Sequence, residues 1–228
     1  CYEVAPKGAH YILIAQVEIF YMLCGFFVFF MPFMVNLKNA KKGDSFMNTK
    51  SIIKWCDQLV VIGIFIMVFA VPLFFDIHLY STFDLSKVGM MFFITLILLA
   101  LWLVKMITLN DFRTVRTPFD FVVLAFWLSN IASTLFSLNP VMSLFGCYKR
   151  YEGLLAITCY IVIYYLAVNF IKTKRQVLGI LTSILTVGTI SGGYALVQHF
   201  GMDPLSWESF NPWRIISFFG NPVFYTVY

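Results

Sequence analysis

Apolar residues in this chain do not alternate with polar ones; they run in long stretches divided by short polar connections. Six stretches approach the ~20 apolar residues that a helix needs to cross a bilayer. They are residues 11–35, 58–75, 88–107, 119–138, 152–171 and 177–199. None keeps a period of two over the length of a barrel strand, so each predicts a helix. The expected fold is therefore all-α: a polytopic transmembrane helical bundle of about six spans. The tail after Gly220 reads as the beginning of a further helix.

Composition agrees with that pattern. Of 228 residues, 61% are apolar and only 12% charged, and the mean hydropathy is +0.85. A soluble core of this size does not hide so much apolar surface, so lipid is the expected solvent for much of it. The 26 phenylalanines and 12 tyrosines suit lipid-facing and interfacial positions. The net charge of +5 does not point to nucleic acid, because the basic residues sit in short loops and no RNA- or DNA-binding module is recognisable.

Charge then orients the spans. Lys38, Lys41, Lys42, Lys50 and Lys54 follow the first span, Lys105, Arg113 and Arg116 the third, and Lys172, Lys174 and Arg175 the fifth. The opposite side carries Lys7, Lys87, Lys149, Arg150 and Arg214, five against eleven. The positive-inside rule places the first group in the cytoplasm and the N-terminus outside. Met47 opens "MNTKSIIKW", a short basic lead into a helix. Residues 1–46 are thus read as an extra N-terminal transmembrane helix or an upstream extension, and residues 47–228 as the main membrane domain.

Few polar groups interrupt the spans. Glu18, beside Gln16, lies only ~10 Å from the outer end of its helix, where snorkelling or interhelical pairing competes with function. Ser129, Asn130, Ser133 and Ser137 form a stripe expected to hydrogen-bond between helices. Gly188, Ser191, Gly192 and Gly193 make a small-residue face expected to let helices approach closely. Cys1, Cys24, Cys56, Cys147 and Cys159 include no CxxC pair, and His10, His78 and His199 share no i, i+4 spacing, so no metal site and no cofactor are expected. Cys1 is read as the start of a fragment in preference to a lipid-modified terminus.

The chemistry is concentrated in two outer loops. In "SLFGCYKRYEGL", Lys149 and Arg150 stand next to Glu152 at the start of a span. A guanidinium at a membrane surface grips phosphate in a bidentate manner, and a carboxylate is favoured at a helix N-terminus, where it is expected to orient Arg150 by a salt bridge. In the second loop, Arg214 lies among Asp203, Trp207, Glu208 and Trp213. That composition suits a sugar and equally an interfacial aromatic belt.

The strings "VPLFFDIHLYSTFDLSK", "RYEGL", "QHFGMDP" and "RIISFFGNP", in this order, resemble the N-terminal half of the O-antigen ligase-like family. That family comprises bacterial inner-membrane proteins that act on polyprenyl-diphosphate-linked glycans. The resemblance covers residues from about 54 to 225. It implies metal-independent transfer of the glycan to an acceptor at the outer face of the cytoplasmic membrane, with Arg150, Arg214, Lys149 and Glu152 as the diphosphate- and glycan-binding candidates. One departure is Val223 after Gly220-Asn221-Pro222, where the family commonly has asparagine. The outer loop holding the family's acid/base histidine is expected downstream of Tyr228, so no catalytic residue is assigned. The alternative reading is a non-catalytic integral subunit of a larger membrane protein complex derived from this family. A transporter or pigment-binding subunit, for which only the histidines speak, ranks third.

Overall fold

The computed structural model describes residues 49–76, 83–147, 150–203, 215–221 and 223. The span predicted over residues 11–35, with Glu18, and the site candidates Lys149 and Arg214 lie outside the described residues. The described residues are all-helical, without a strand. Six α-helices appear in order: α1 (Thr49–Leu73), α2 (Asp84–Leu109), α3 (Asp120–Leu135), α4 (Pro140–Phe145), α5 (Leu154–Phe170) and α6 (Lys174–His199). A single 3₁₀ turn, Ser217–Phe219, follows.

Three of these helices are long and apolar enough to cross a membrane: Ile53–Leu73 within α1, then α2 and α6. α3 and α5 have 16 and 17 residues, about 24 and 26 Å at ~1.5 Å per residue, somewhat short of a hydrocarbon core of ~30 Å. The predicted spans over 119–138 and 152–171 therefore become shorter apolar helices. The first loses its last turn to a break after Leu135, beyond which the separate helix α4 begins at Pro140. The pyrrolidine ring suits that first helical position, and the Asn139 side chain caps it by accepting the Met142 N–H at 3.3 Å.

Helix ends are set by local chemistry. α6 starts with a capping box, in which Thr173 accepts the Gln176 N–H while the Gln176 side chain accepts the Thr173 N–H. It ends in a Schellman motif: Gly201, at φ 67°, donates to the Gln198 carbonyl, and Met202 donates to that of Val197. α2 closes in the same way with Asn110 at φ 54°, Asn110 donating to Ile107 and Asp111 to Met106. Asparagine tolerates the left-handed conformation better than most residues.

The chain divides into two compact units. The first takes residues up to Val61 and Thr95–Phe170; the second takes Ile62–Ile94 and the chain from Ile171. In the first, α3, α4 and α5 pack on one another, and the Trp127 indole N–H donates to the Thr158 hydroxyl at 3.0 Å between α3 and α5. Asp57 of α1 pairs with Lys105 of α2 at 2.5 Å, with the ammonium 4.6 Å from the Phe170 ring centre. In the second, α6 packs on the 3₁₀ turn. Buried positions on α6 are Val187, Ser191, Ala195 and Gln198, one stripe at helical spacing. On α1 the stripe is Cys56, Val60, Ile64 and Met67, while Trp55, Leu59, Ile62, Ile66 and Phe69 stay exposed. Apolar side chains on both faces mark helices that lipid or protein surrounds.

Two expectations about packing are corrected in part. The polar stripe meets another helix only at Ser137, whose hydroxyl accepts that of Ser143 in α4 at 2.7 Å; Asn130 donates to the Phe126 carbonyl of its own helix at 2.8 Å, and Ser129 and Ser133 are exposed. An amide next to an i−4 carbonyl finds its partner without leaving the helix. On the small-residue face Gly193 touches no neighbour, since a Cβ there meets nothing within 4 Å, whereas Ser191 is fully buried and its carbonyl accepts the Ser217 hydroxyl. The close approach falls at Gly179, where a Cβ would stand 2.8 Å from the Phe65 ring.

Candidate functional site

The first unit presents the Arg150 loop. α4 stops at Gly146, whose φ of 96° is readily open only to glycine. The Cys147 carbonyl then accepts the N–H groups of Arg150 (3.0 Å) and Tyr151 (2.9 Å), forming a tight turn. Gly153 closes the loop. A Cβ on Gly146 would strike the backbone of Tyr151 and Glu152, and one on Gly153 the Leu144 carbonyl. The two glycines thus bring the ends of an eight-residue segment into backbone contact, in the manner of a small Ω-loop. Cys147, inside it, is disulfide-bonded, whereas Cys56 and Cys159 are free thiols.

The loop separates its two charges. Tyr151 lies between them at φ 49° with its side chain buried, a left-handed residue that turns the chain. Arg150 and Glu152 are both exposed and no ion pair joins them, so the expected salt bridge does not form. Nor does Glu152 begin the helix: α5 starts at Leu154, and the Gly153 carbonyl accepts its first backbone bond, from Ile157. Glu152 instead lines a groove between α3 and α5. Arg150 is left as an exposed guanidinium.

The second unit holds a buried polar network that the sequence did not reveal as such. Gln198, on the last turn of α6, is 1% exposed. Its carbonyl oxygen accepts the Ser217 N–H at 2.8 Å, and its amide donates to Asp203 at 3.0 Å. The Tyr194 hydroxyl, one turn earlier, reaches both Asp203 oxygens at 3.1 and 3.2 Å. Ser217, at φ 47°, donates its hydroxyl to the Ser191 carbonyl at 2.8 Å. The Ser191 hydroxyl is itself buried without a partner.

Lys87 completes this region. The sequence marks it only as a loop charge, but its ammonium donates to the Phe218 carbonyl at 2.7 Å and lies 4.3 Å from the Phe219 ring centre. Phe218 stacks on Tyr194 with centroids 4.6 Å apart and also meets Phe75 at 5.8 Å. Gly220, at φ 68°, lets the backbone pass so close to Phe83 that a Cβ would collide with its ring. The strings "QHFGMDP" and "RIISFFGNP" are therefore partners in one network. Nothing in their spacing signals it; the only hint is that Tyr194 and Gln198 fall four apart on a helix.

The remaining candidates have simpler surroundings. His199 ends α6 with its ring 5.4 Å from that of Phe200, outside the network. Among the described residues no group of three or more His, Cys, Asp or Glu side chains is placed to hold a metal ion. A further polar cluster, also in the first unit, joins Thr117, Asp120, Tyr164 and Tyr165. It fixes the connection that carries the exposed Arg113 and Arg116 against α5. Compared with known protein families, curated proteins and solved structures, the chain matches none of them.

Proposed function

We propose that this chain belongs to a bacterial inner-membrane machinery that transfers a glycan from a polyprenyl diphosphate to an acceptor at the outer face of the membrane. In this reading it has about six spans, with its N-terminus outside. Arg150 and Arg214, with Lys149, bind the diphosphate. The acceptor hydroxyl oxygen bonds to the anomeric carbon as the bond to the diphosphate oxygen breaks, the hydroxyl proton passes to the departing diphosphate, and the guanidinium charge stabilises that leaving group. The observation that carries the reading is the pairing of two strings resembling the O-antigen ligase-like family, through Gln198 and Ser217. The glycine-pinned loop supports it, since it presents Arg150 to solvent unpaired. The Cys147 disulfide suits an outward loop, because disulfides persist on the oxidising side of the membrane.

Proteoliposomes holding the whole machinery that contains this chain, given a polyprenyl-diphosphate-linked glycan and candidate acceptors, test the proposal. Transfer is expected, falling about 10²-fold or more in Arg150→Ala, as for loss of a preorganised donor. Transfer that is present and indifferent to Arg150→Ala and Arg214→Ala contradicts it. The second reading, a non-catalytic subunit of a membrane complex, is favoured by α3. That helix buries no residue and leaves Phe121 and Leu135 80% and 74% exposed, a surface suited to another protein.

A further inference from the structure

We propose that Cys147 forms its disulfide with Cys1, so that the N-terminal segment is strapped covalently to the loop that presents Arg150. The chain has five cysteines. Cys147 is disulfide-bonded, whereas Cys56 and Cys159 are free thiols. Elimination leaves Cys1 and Cys24 as partners, both outside the described residues.

Depth and parity choose between them. Val115 and Thr117, just before α3, bond to Asn169 and Tyr164 near the end of α5, at 3.0 and 2.9 Å. α3 and α5 therefore run antiparallel, and the connection that holds Cys147 lies at their other end, beyond α4. In the six-span topology, on which this step rests, that end is at a membrane surface. Cys24 stands about 13 residues into the span predicted over 11–35, roughly 20 Å deep in a hydrocarbon core of ~30 Å. A sulfur at that depth does not meet a surface loop. Cys1 precedes the same span by about ten residues, an extended reach of up to about 35 Å. Four crossings separate Cys1 from Cys147: the predicted span, α1, α2 and α3. An even number returns the chain to the side it started from, so both sulfurs stand at one surface.

The bond forms by thiol–disulfide exchange with a disulfide-carrying oxidant on the outer side. The two thiols give up two protons and two electrons as their S–S bond forms, and the S–S bond of the oxidant is reduced to two thiols. The pairing itself does not depend on the glycan reading.

Peptide mass spectrometry without reduction tests this on the full chain, taken from bacterial inner membranes and denatured in N-ethylmaleimide at harvest. A peptide pair joining Cys1 to Cys147 is expected. The wild type is expected to carry three maleimide adducts before reduction, five cysteines less one pair. Cys1→Ser is expected to release Cys147 for alkylation, and Cys24→Ser to keep the pair. A Cys147 thiol alkylated in the wild type overturns the proposal. So does a Cys24–Cys147 pair, or a dimer of the chain linked through Cys147. A phosphatase fusion after Arg150 reports the side of the loop without the disulfide, so failure of the topology is told apart from failure of the pairing.

Discussion

The side-chain carbonyl of Gln198 accepts the backbone N–H of Ser217 at 2.8 Å, and both residues are excluded from solvent. The same amide donates to Asp203, so one glutamine satisfies a loop N–H and a carboxylate nineteen and five residues away. Gln198→Leu keeps the volume but leaves the Ser217 N–H buried without an acceptor, a cost of about 1–3 kcal/mol. Denaturant titration in detergent is expected to show that loss, with Gln198→Glu milder toward Ser217 but repelling Asp203. Unchanged stability in Gln198→Leu contradicts the network.

The Arg150 loop depends on glycine at both ends. Gly146→Ala or Gly153→Ala forces a methyl group into backbone that cannot move aside, and at Gly146 it also meets a forbidding φ. Either variant is expected to yield little monodisperse protein by size-exclusion chromatography. Gly193→Ala, which meets nothing within 4 Å, is expected to match the wild type or to gain slightly in helix propensity. Equal yields for all three variants contradict the loop as described.

The proposed orientation rests on the Lys and Arg distribution. Alkaline phosphatase fused after Arg150 is expected to be active, because it folds only outside the cytoplasm. Fused after Arg113 or Arg175, it is expected to be inactive. The reverse pattern contradicts the outward placement of Arg150.

Much of the helical framework was legible because long apolar runs leave few alternatives. The runs over residues 58–75, 88–107 and 177–199 fall inside or largely inside α1, α2 and α6. The structure adds turns that the hydropathy edge hides: α1 begins at Thr49 through a basic lead, and α6 at Lys174 behind the Thr173 cap. α4 is not legible in the sequence, since the six residues Pro140–Phe145 are too few to show a periodicity. The site was legible only as loops. Arg150 was found from its charge, but its separation from Glu152 depends on Tyr151 at positive φ. The tie from Gln198 to Ser217, and the turn of Lys87 toward Phe218, arise from tertiary contacts that residue spacing does not encode.

Binding of the lipid diphosphate tests the central claim most directly. A polyprenyl diphosphate and the matching polyprenyl alcohol share the apolar chain, so their difference in affinity isolates the phosphate grip. The wild type in nanodiscs is expected to prefer the diphosphate, and Arg150→Ala to lose about tenfold of that preference, the loss of one charge-assisted contact of ~1.5 kcal/mol. Equal binding of diphosphate and alcohol, or a preference untouched in both Arg150→Ala and Arg214→Ala, contradicts the account.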